Sequence, residues 1–460
     1  MKDNSVIFVN AGSLVGTTAV TSALGIAYWW LAARHFPPAA VGLASAEIST
    51  MILLGTLCMT GLGTLFVGEL PRQPGNEMSL ISAGLILVGG IGGFLGIVFA
   101  IVAPFMSADF QALGASVQSV VLFTIGVSLT AITLALDQAL IGLLRGGLQL
   151  WRNALFAVIK LVALLIAGFW LSATTGLAIY VTWMIGNALS FATLAAFNML
   201  QGSRSMKSYW PNWGLLKKLK SAALQHQMLN LILQAPGLIL PVMVTVLLSA
   251  TMNAWFYVAV MISNFVSVAT LALTTVLYAV NAMQPAALAR KARLTLALSF
   301  AICLLANMVF QLGARQVLGL FGQAYAEQAS WSLRILVIGS IPLVIKDHYI
   351  AIRRIQSQVA KAMLPLVAGG MLELVGAALG AHLGGILGLS LGWLIAVCIE
   401  AAFMFLPVYH AIHNREISMQ PYAESNRMEP VWLGDTLVLP SVILRQVYEK
   451  KYKSYQRQMQ

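Results

Sequence analysis

The chain has 460 residues, of which 59% are hydrophobic and only 9% charged, with a formal net charge of +12. An ordinary soluble domain carries about 25% charged residues and needs them to keep its surface in water. A soluble enzyme is therefore excluded, and so is intrinsic disorder, which requires low hydrophobicity. What remains is a polytopic membrane protein.

A spanning helix needs about 20 mostly apolar residues. Such runs predict twelve spans, at 7–33, 39–68, 79–104, 115–144, 150–172, 176–199, 222–248, 252–282, 292–313, 330–352, 361–381 and 385–409. The first exceeds the apolar core of a signal peptide and reads as a retained span. The spans fall into two six-helix lobes, 1–199 and 222–409. A basic connector, 200–221, holds Arg204, Lys207, Lys217, Lys218 and Lys220, and a polar tail covers 410–460. The tail near 441–457 reads as an amphipathic helix on the inner leaflet or as solvated chain. The expected fold class is an all-α polytopic membrane protein. Its lobes would be related by a pseudo-two-fold axis along the membrane normal, because six spans per lobe give both the same orientation.

A weak internal repeat supports that symmetry. Asp137-Gln138, Arg145 and Arg152 correspond to Asp347-His348, Arg354 and Lys361, and Trp183 corresponds to Trp393, at offsets of about 210 residues. Asn10 and Asn230 open the first spans of the two halves. The basic residues lie in alternate short loops: Arg72; Arg145 and Arg152; the connector; Arg290, Lys291 and Arg293; Arg353, Arg354 and Lys361. The other loops offer little beyond Arg34, Arg315 and Arg334. By the positive-inside rule both termini are cytoplasmic. The same distribution argues against nucleic-acid binding, which would gather the charge on one soluble face.

Soluble-enzyme motifs are absent, and no cofactor or metal site is expected. Gly89-Gly90-Ile91-Gly92-Gly93 lies inside a span and reads as close helix packing by small residues. Cys58, Cys303 and Cys398 also lie inside spans, so no disulfide framework is expected. The informative residues are ionisable groups within spans, each costing about 2.5–3.5 kcal/mol at the bilayer centre on insertion scales. Asp137 precedes Arg145 by eight residues and Lys160 follows Arg152 by eight. Antiparallel spans would set both about 12 Å from the cytoplasmic rim. They read either as an ion pair locking two helices or as a cation facing a cavity with Asp137 controlling it. Glu373 and Glu400 lie at similar depth in the second lobe. They read either as a pair sharing a proton or as acids bonded to neighbouring helices. Lys346 and Asp347 read as rim residues, and Glu47 as a partner of Arg34. Gln234-Ala235-Pro236-Gly237 and Pro241 predict a kink or local unwinding of span 7, a candidate gate. Tyr28-Trp29-Trp30 and Trp255-Phe256-Tyr257 read as outer-interface belts.

The segment Leu31-Ala32-Ala33-Arg34-His35-Phe36-Pro37-Pro38, followed by Val41-Gly42-Leu43-Ala44-Ser45-Ala46, resembles the span 1–2 junction of bacterial polysaccharide-biosynthesis flippases. Gly61-Leu62-Gly63-Thr64 resembles the end of their span 2, and Ala254-Trp255-Phe256-Tyr257-Val258-Ala259 the matching junction of the second half. That family belongs to the multidrug/oligosaccharidyl-lipid/polysaccharide exporter superfamily. The resemblance implies two six-helix lobes around a central cavity and movement of a polyprenyl-diphosphate-linked oligosaccharide across the inner membrane by alternating access. Membrane lipids and glycan polymerase or glycosyltransferase partners come with that reading. Lys160 and Asp137 would then serve the substrate, and Glu373 and Glu400 would be ion-coupling candidates. A multidrug or cation antiporter of the same superfamily is the nearest alternative, although span 1 lacks the carboxylate often found there. A glycan polymerase or ligase and a non-transporting scaffold are the readings from other classes; the short outer loops leave little room for a catalytic domain.

Overall fold

The computed structural model describes residues 21–59, 61–169, 175–200, 210–219, 224–281, 288–356 and 358–413, with a short strand pair near the C-terminus. Asn10, Arg204, Lys207, Lys220 and the tail segments 414–430 and 439–460 lie outside the described residues. Helix α1 is described over residues 21–35. The N-terminal lobe continues through α2 (Pro38–Cys58), α3 (Leu62–Glu69), α4 (Glu77–Met106), α5 (Gln111–Gly114), α6 (Val117–Gly142), α7 (Gly146–Phe169) and α8 (Gly176–Leu200). A short helix in the connector, α9 (Trp213–Leu219), packs Leu216 under α4. The C-terminal lobe holds α10 (Leu224–Leu247), α11 (Ala250–Asn281), α12 (Leu288–Gly319), α13 (Gln323–Ile338), α14 (Ser340–Ile355) and α15 (Val359–His413). Strands β1 (Val431–Leu433) and β2 (Thr436–Val438) pair antiparallel.

Among the described residues, ten helices are long and apolar enough to cross a membrane. One of them runs from α13 through Gly339 into α14 without a break in helical dihedrals. Another, α15, is two spans: Gly384 (φ −154°, ψ 28°) and Gly385 (φ 58°, ψ −142°) turn the chain back on itself. Gly385 occupies the left-handed region that favours glycine. With α1 as the described end of the first apolar run, the architecture is two lobes of six spans. Large apolar side chains such as Phe94, Phe105, Leu312 and Phe403 point outward, where only lipid tails would meet them. Helices are the elements that can stand there, because each satisfies its backbone polar groups internally.

The two arms of α15 approach through glycine. A Cβ on Gly380 would sit 2.0 Å from the Gly388 carbonyl oxygen, and one on Gly392 2.0 Å from that of Gly376. Small residues at four-residue spacing on both arms allow this backbone contact, the mode by which helices associate in lipid. Gly380→Val is therefore expected to lower stability by about 3 kcal/mol, the upper end of overpacking costs. Gly90→Ala, where a Cβ meets nothing within 4 Å, should be neutral or stabilising by up to about 1 kcal/mol. Thermal unfolding in detergent distinguishes the two, and equal midpoints would show that the arms do not rely on this contact. The glycine run of α4 packs in the same way: Gly92 and Gly96 lie against the α6 backbone, and Ser128 Oγ donates to the Gly89 carbonyl at 3.0 Å.

Three local expectations change. The run 39–68 is two helices, because Gly61 takes φ 87° between α2 and α3. Conversely, α10 stays helical from Leu224 to Leu247 with Pro236, Gly237 and Pro241 inside it. The unwinding expected there does not occur; Gly370 of α15 packs on Pro236, with a Cβ position 3.3 Å from its ring. Finally, Tyr28, Trp29 and Phe256 are core residues, leaving Trp30 exposed. Trp29 stacks edge-on against Tyr257 at 4.7 Å, across the junction of the lobes.

The core has a clear polarity. At the end carrying the α1–α2 turn and residues 320–322, one buried cluster spans both lobes, from Phe36, Val41 and Tyr180 to Phe256, Phe321 and Tyr325. Toward the other end it divides. One cluster of the N-terminal lobe is built on Phe66, Leu70, Leu80 and Ala139. A separate one in the C-terminal lobe is built on Leu229, Tyr349, Ile352 and Met404.

Candidate functional site

Arg152, Phe156 and Lys160 recur every four residues on α7 and so share one face. That face meets α8, where Gly186 leaves room for the lysine stem: a Cβ there would stand 2.9 Å from Lys160 Cβ. Lys160 is 4% exposed. Its ammonium lies 3.4 Å from the Trp183 ring centroid, 4.6 Å from Phe156 and 4.9 Å from Tyr28. Tyr28 is itself fixed by hydrogen bonds to the Ile179 carbonyl and Thr182 Oγ1, at 2.9 and 2.8 Å. Among the described residues no carboxylate pairs with Lys160. The negative faces of three rings offset its charge instead, an interaction worth about 2 kcal/mol or more when desolvated.

The expected Lys160–Asp137 pair is therefore absent. Asp137 Oδ2 accepts from Arg152 Nη2 at 2.8 Å and from Asn153 Nδ2 at 3.2 Å. The reason is the tightness of the α6–α7 turn. Only three residues separate Gly142 from Gly146, so the antiparallel partner of Asp137 is Arg152, itself 3% exposed and inside α7 rather than in a loop. Lys160 lies eight residues farther along, about 12 Å deeper.

In the C-terminal lobe, Glu373 and Glu400 do come together. They face each other from the two arms of α15, and Lys346 of α14 reaches between them, 2.6 Å from Glu373 Oε1 and 2.8 Å from Glu400 Oε2. Trp393 Nε1 donates to Glu373 Oε2 at 2.9 Å. Gly369 makes the space, since a Cβ there would collide with the Glu400 carboxylate. Lys346 is thus no rim residue. Its position eight residues before Arg354, the same interval as Asp137 before Arg145, was the signal for its depth, and its four-carbon stem supplies the remaining reach. Glu47 is likewise no partner of Arg34. Arg34 Nε donates to the Leu320 carbonyl at 2.8 Å, and Glu47 is buried in α2 away from it. The kink residues Pro236, Gly237 and Pro241 lie on α10, outside both charge clusters.

The arrangement resembles known transporters in three dimensions. An inward-facing multidrug resistance MATE family transporter of the MOP superfamily superposes with a TM-score of 0.69 at 16% identity, covering 86% of this chain and 98% of that one. The lipid II flippase MurJ in an inward closed conformation gives 0.66 at 12% identity, covering 85% and 86%. A MATE transporter from Vibrio cholerae gives 0.59 at 16%, covering 89% and 97%. The chain has the fold of these transporters. No protein-family model matches the sequence, and neither does any curated protein.

Proposed function

We propose that the chain is a transporter, and not an enzyme, that moves a polyprenyl-diphosphate-linked oligosaccharide across the cytoplasmic membrane by alternating access. The observation that carries this reading is Lys160: a buried ammonium held by aromatic rings and, among the described residues, paired with no carboxylate. Such a cation is available to an anionic headgroup, which would gain a charge-assisted contact in a low-dielectric site. A bound diphosphate would draw Lys160 from its rings, giving the ligand a different contact in each state. Asp137 is committed to Arg152 and serves the substrate only through the orientation of α7. The divided end of the core carries Arg72, Arg145, Arg353 and Arg354, so by the positive-inside rule it faces the cytoplasm, and with it both termini. Glu373 and Glu400 share one ammonium, two acids against a single cation, which leaves one of them able to bind and release a proton or cation. In this reading they couple transport to a proton or a monovalent cation. Export of cationic drugs is disfavoured by the fixed positive charge in the N-terminal lobe.

The test is flipping of a polyprenyl-diphosphate oligosaccharide by purified protein in liposomes. Lys160→Met fills the aromatic cage without charge and is expected to leave the amount of folded protein unchanged while reducing flipping on the order of a hundredfold, the loss of a contact worth about 3 kcal/mol. Lys160→Arg should retain part of the activity. Full flipping by Lys160→Met would remove the basis for the glycan reading.

A further inference from the structure

We propose that Glu47 is a proton-binding site whose proton keeps the two lobes joined. Glu47 lies about 14 Å along α2 from Pro38 by helical rise, near mid-membrane, and is 2% exposed. Its Oε2 has no hydrogen-bond partner, and no cation pairs with it among the described residues. Every other buried carboxylate of the two clusters above has a guanidinium or ammonium within 2.8 Å. An ionised carboxylate without counter-charge is not tolerated in such surroundings, so in this conformation Glu47 carries its proton.

The surroundings offer no substitute charge. Tyr180 of α8 is the titratable neighbour close enough to feel Glu47, and its hydroxyl is committed to the Phe123 carbonyl at 3.1 Å. The sequences of α8, α11 and the described side chains of α10 hold no charged residue. Helix α4 has only Glu77, its first residue, and α6 only Asp137, held by Arg152. Arg34 and His35 end α1, at the far end beside Leu320.

The position of Glu47 connects its proton to the lobe junction. Glu47, Met51 and Gly55 form one stripe of α2. Met51 and Gly55 lie against Gly126 and Thr130 of α6. The opposite stripe holds the C-terminal lobe. Asn253 Nδ2 of α11 donates to the Gly42 carbonyl at 2.8 Å and to Ser45 Oγ at 3.0 Å. A Cβ on Gly42 would overlap the Ala250 carbonyl at 1.6 Å. When the carboxyl releases its proton to water, the carboxylate left behind must admit water or a counter-charge. Either requires the inner stripe to part from α6 and α8. Because α2 is one helix with α11 packed on its opposite stripe, that displacement drives Gly42 and Ser45 into the Ala250 backbone, where there is no free space, and forces the Asn253 contact apart. Proton release thus opens the joined end, and proton binding closes it.

The experiment needs no substrate, so its outcome is independent of the glycan reading. Cys58, Cys303 and Cys398 are replaced by Ala, and spin labels are placed at Ala112→Cys and Gln323→Cys, two exposed positions at the joined end of opposite lobes. Distances are measured in lipid nanodiscs from about pH 5 to about pH 9, a range that spans buried carboxyl titrations. The expected result is a separated population that grows on the order of tenfold with rising pH. In Glu47→Gln and in Glu47→Met, two neutral side chains of similar length, the short distance should persist throughout. A pH-independent distance in the parent protein would overturn the proposal. So would a pH response of either neutral variant equal to that of the parent.

Discussion

Lys346→Ala is expected to cost about 3–5 kcal/mol of stability, the range for breaking a buried ion pair by removing one partner. The substitution takes one ammonium from two acids. Glu373 would keep only the Trp393 indole, 2.9 Å from Oε2. Glu400 would be left against the backbone at Gly369. The measurements are the yield of monodisperse protein and the thermal midpoint in detergent. The triple variant Lys346→Met, Glu373→Gln, Glu400→Gln removes all three charges while keeping similar volume. It should recover most of the lost stability, since a buried ion pair is often no more stabilising than its neutral replacement. A parent-like midpoint for Lys346→Ala alone would mean that water reaches the carboxylates, and the cluster would not be the lock between α14 and α15. If Glu373 and Glu400 couple transport, the recovered triple variant should fold well and yet lose its response to an imposed ion gradient.

Gly42→Val should open the joined end. The introduced Cβ has no room beside the Ala250 carbonyl, and α11 cannot retreat without releasing the Asn253 hydrogen bonds to α2. Overpacking of about 1–3 kcal/mol would shift the balance between joined and separated lobes by roughly ten- to a hundredfold. A reporter cysteine at Ser45, a near-isosteric change at a fully buried position, registers the shift. Its reaction with a maleimide should be slow in an otherwise unaltered chain and faster by about that factor with Gly42→Val. Unchanged reactivity would show that this seam is not the barrier.

The class of protein and the lobe plan were legible because they rest on quantities that do not depend on tertiary contacts: run length, charge density and the placement of Lys and Arg. Pairing was harder to read. Depth could be counted only from an assumed rim, and the rim at Arg145 and Arg152 was misjudged because the α6–α7 turn is three residues long. An error of about two turns exchanged Arg152 for Lys160. The Glu373–Glu400 proximity is legible because the turn at Gly384 and Gly385 folds the two arms together and leaves the acids about one helical turn apart in depth, a gap that Lys346 bridges. Aromatic residues misled in another way. A Tyr-Trp-Trp sequence at a span end has the same composition whether it meets headgroups or a second lobe, and only the partner across the seam, Tyr257, decides which. The proline pair in α10 signals either a kink or an unwinding, and of these the local unwinding does not occur, since the helix runs on through both prolines.

The Lys346 cluster also bears on how the chain enters the bilayer. Helix α14 contains Lys346, Asp347, His348, Arg353 and Arg354 within sixteen residues, a load that insertion energetics penalises by about 2.5–3.5 kcal/mol for a central charge. Its counter-charges have not yet emerged when it leaves the ribosome. Glu373 follows 27 residues later and Glu400 another 27 after that. The first arm of α15 carries the opposite sign, and the second arm brings a further acid to the same ammonium. Segments that are each costly alone become acceptable as a set, so synthesis must hold α14 in a polar environment until the hairpin behind it has emerged. The last three spans of the chain are then a unit of assembly, committed to the membrane together.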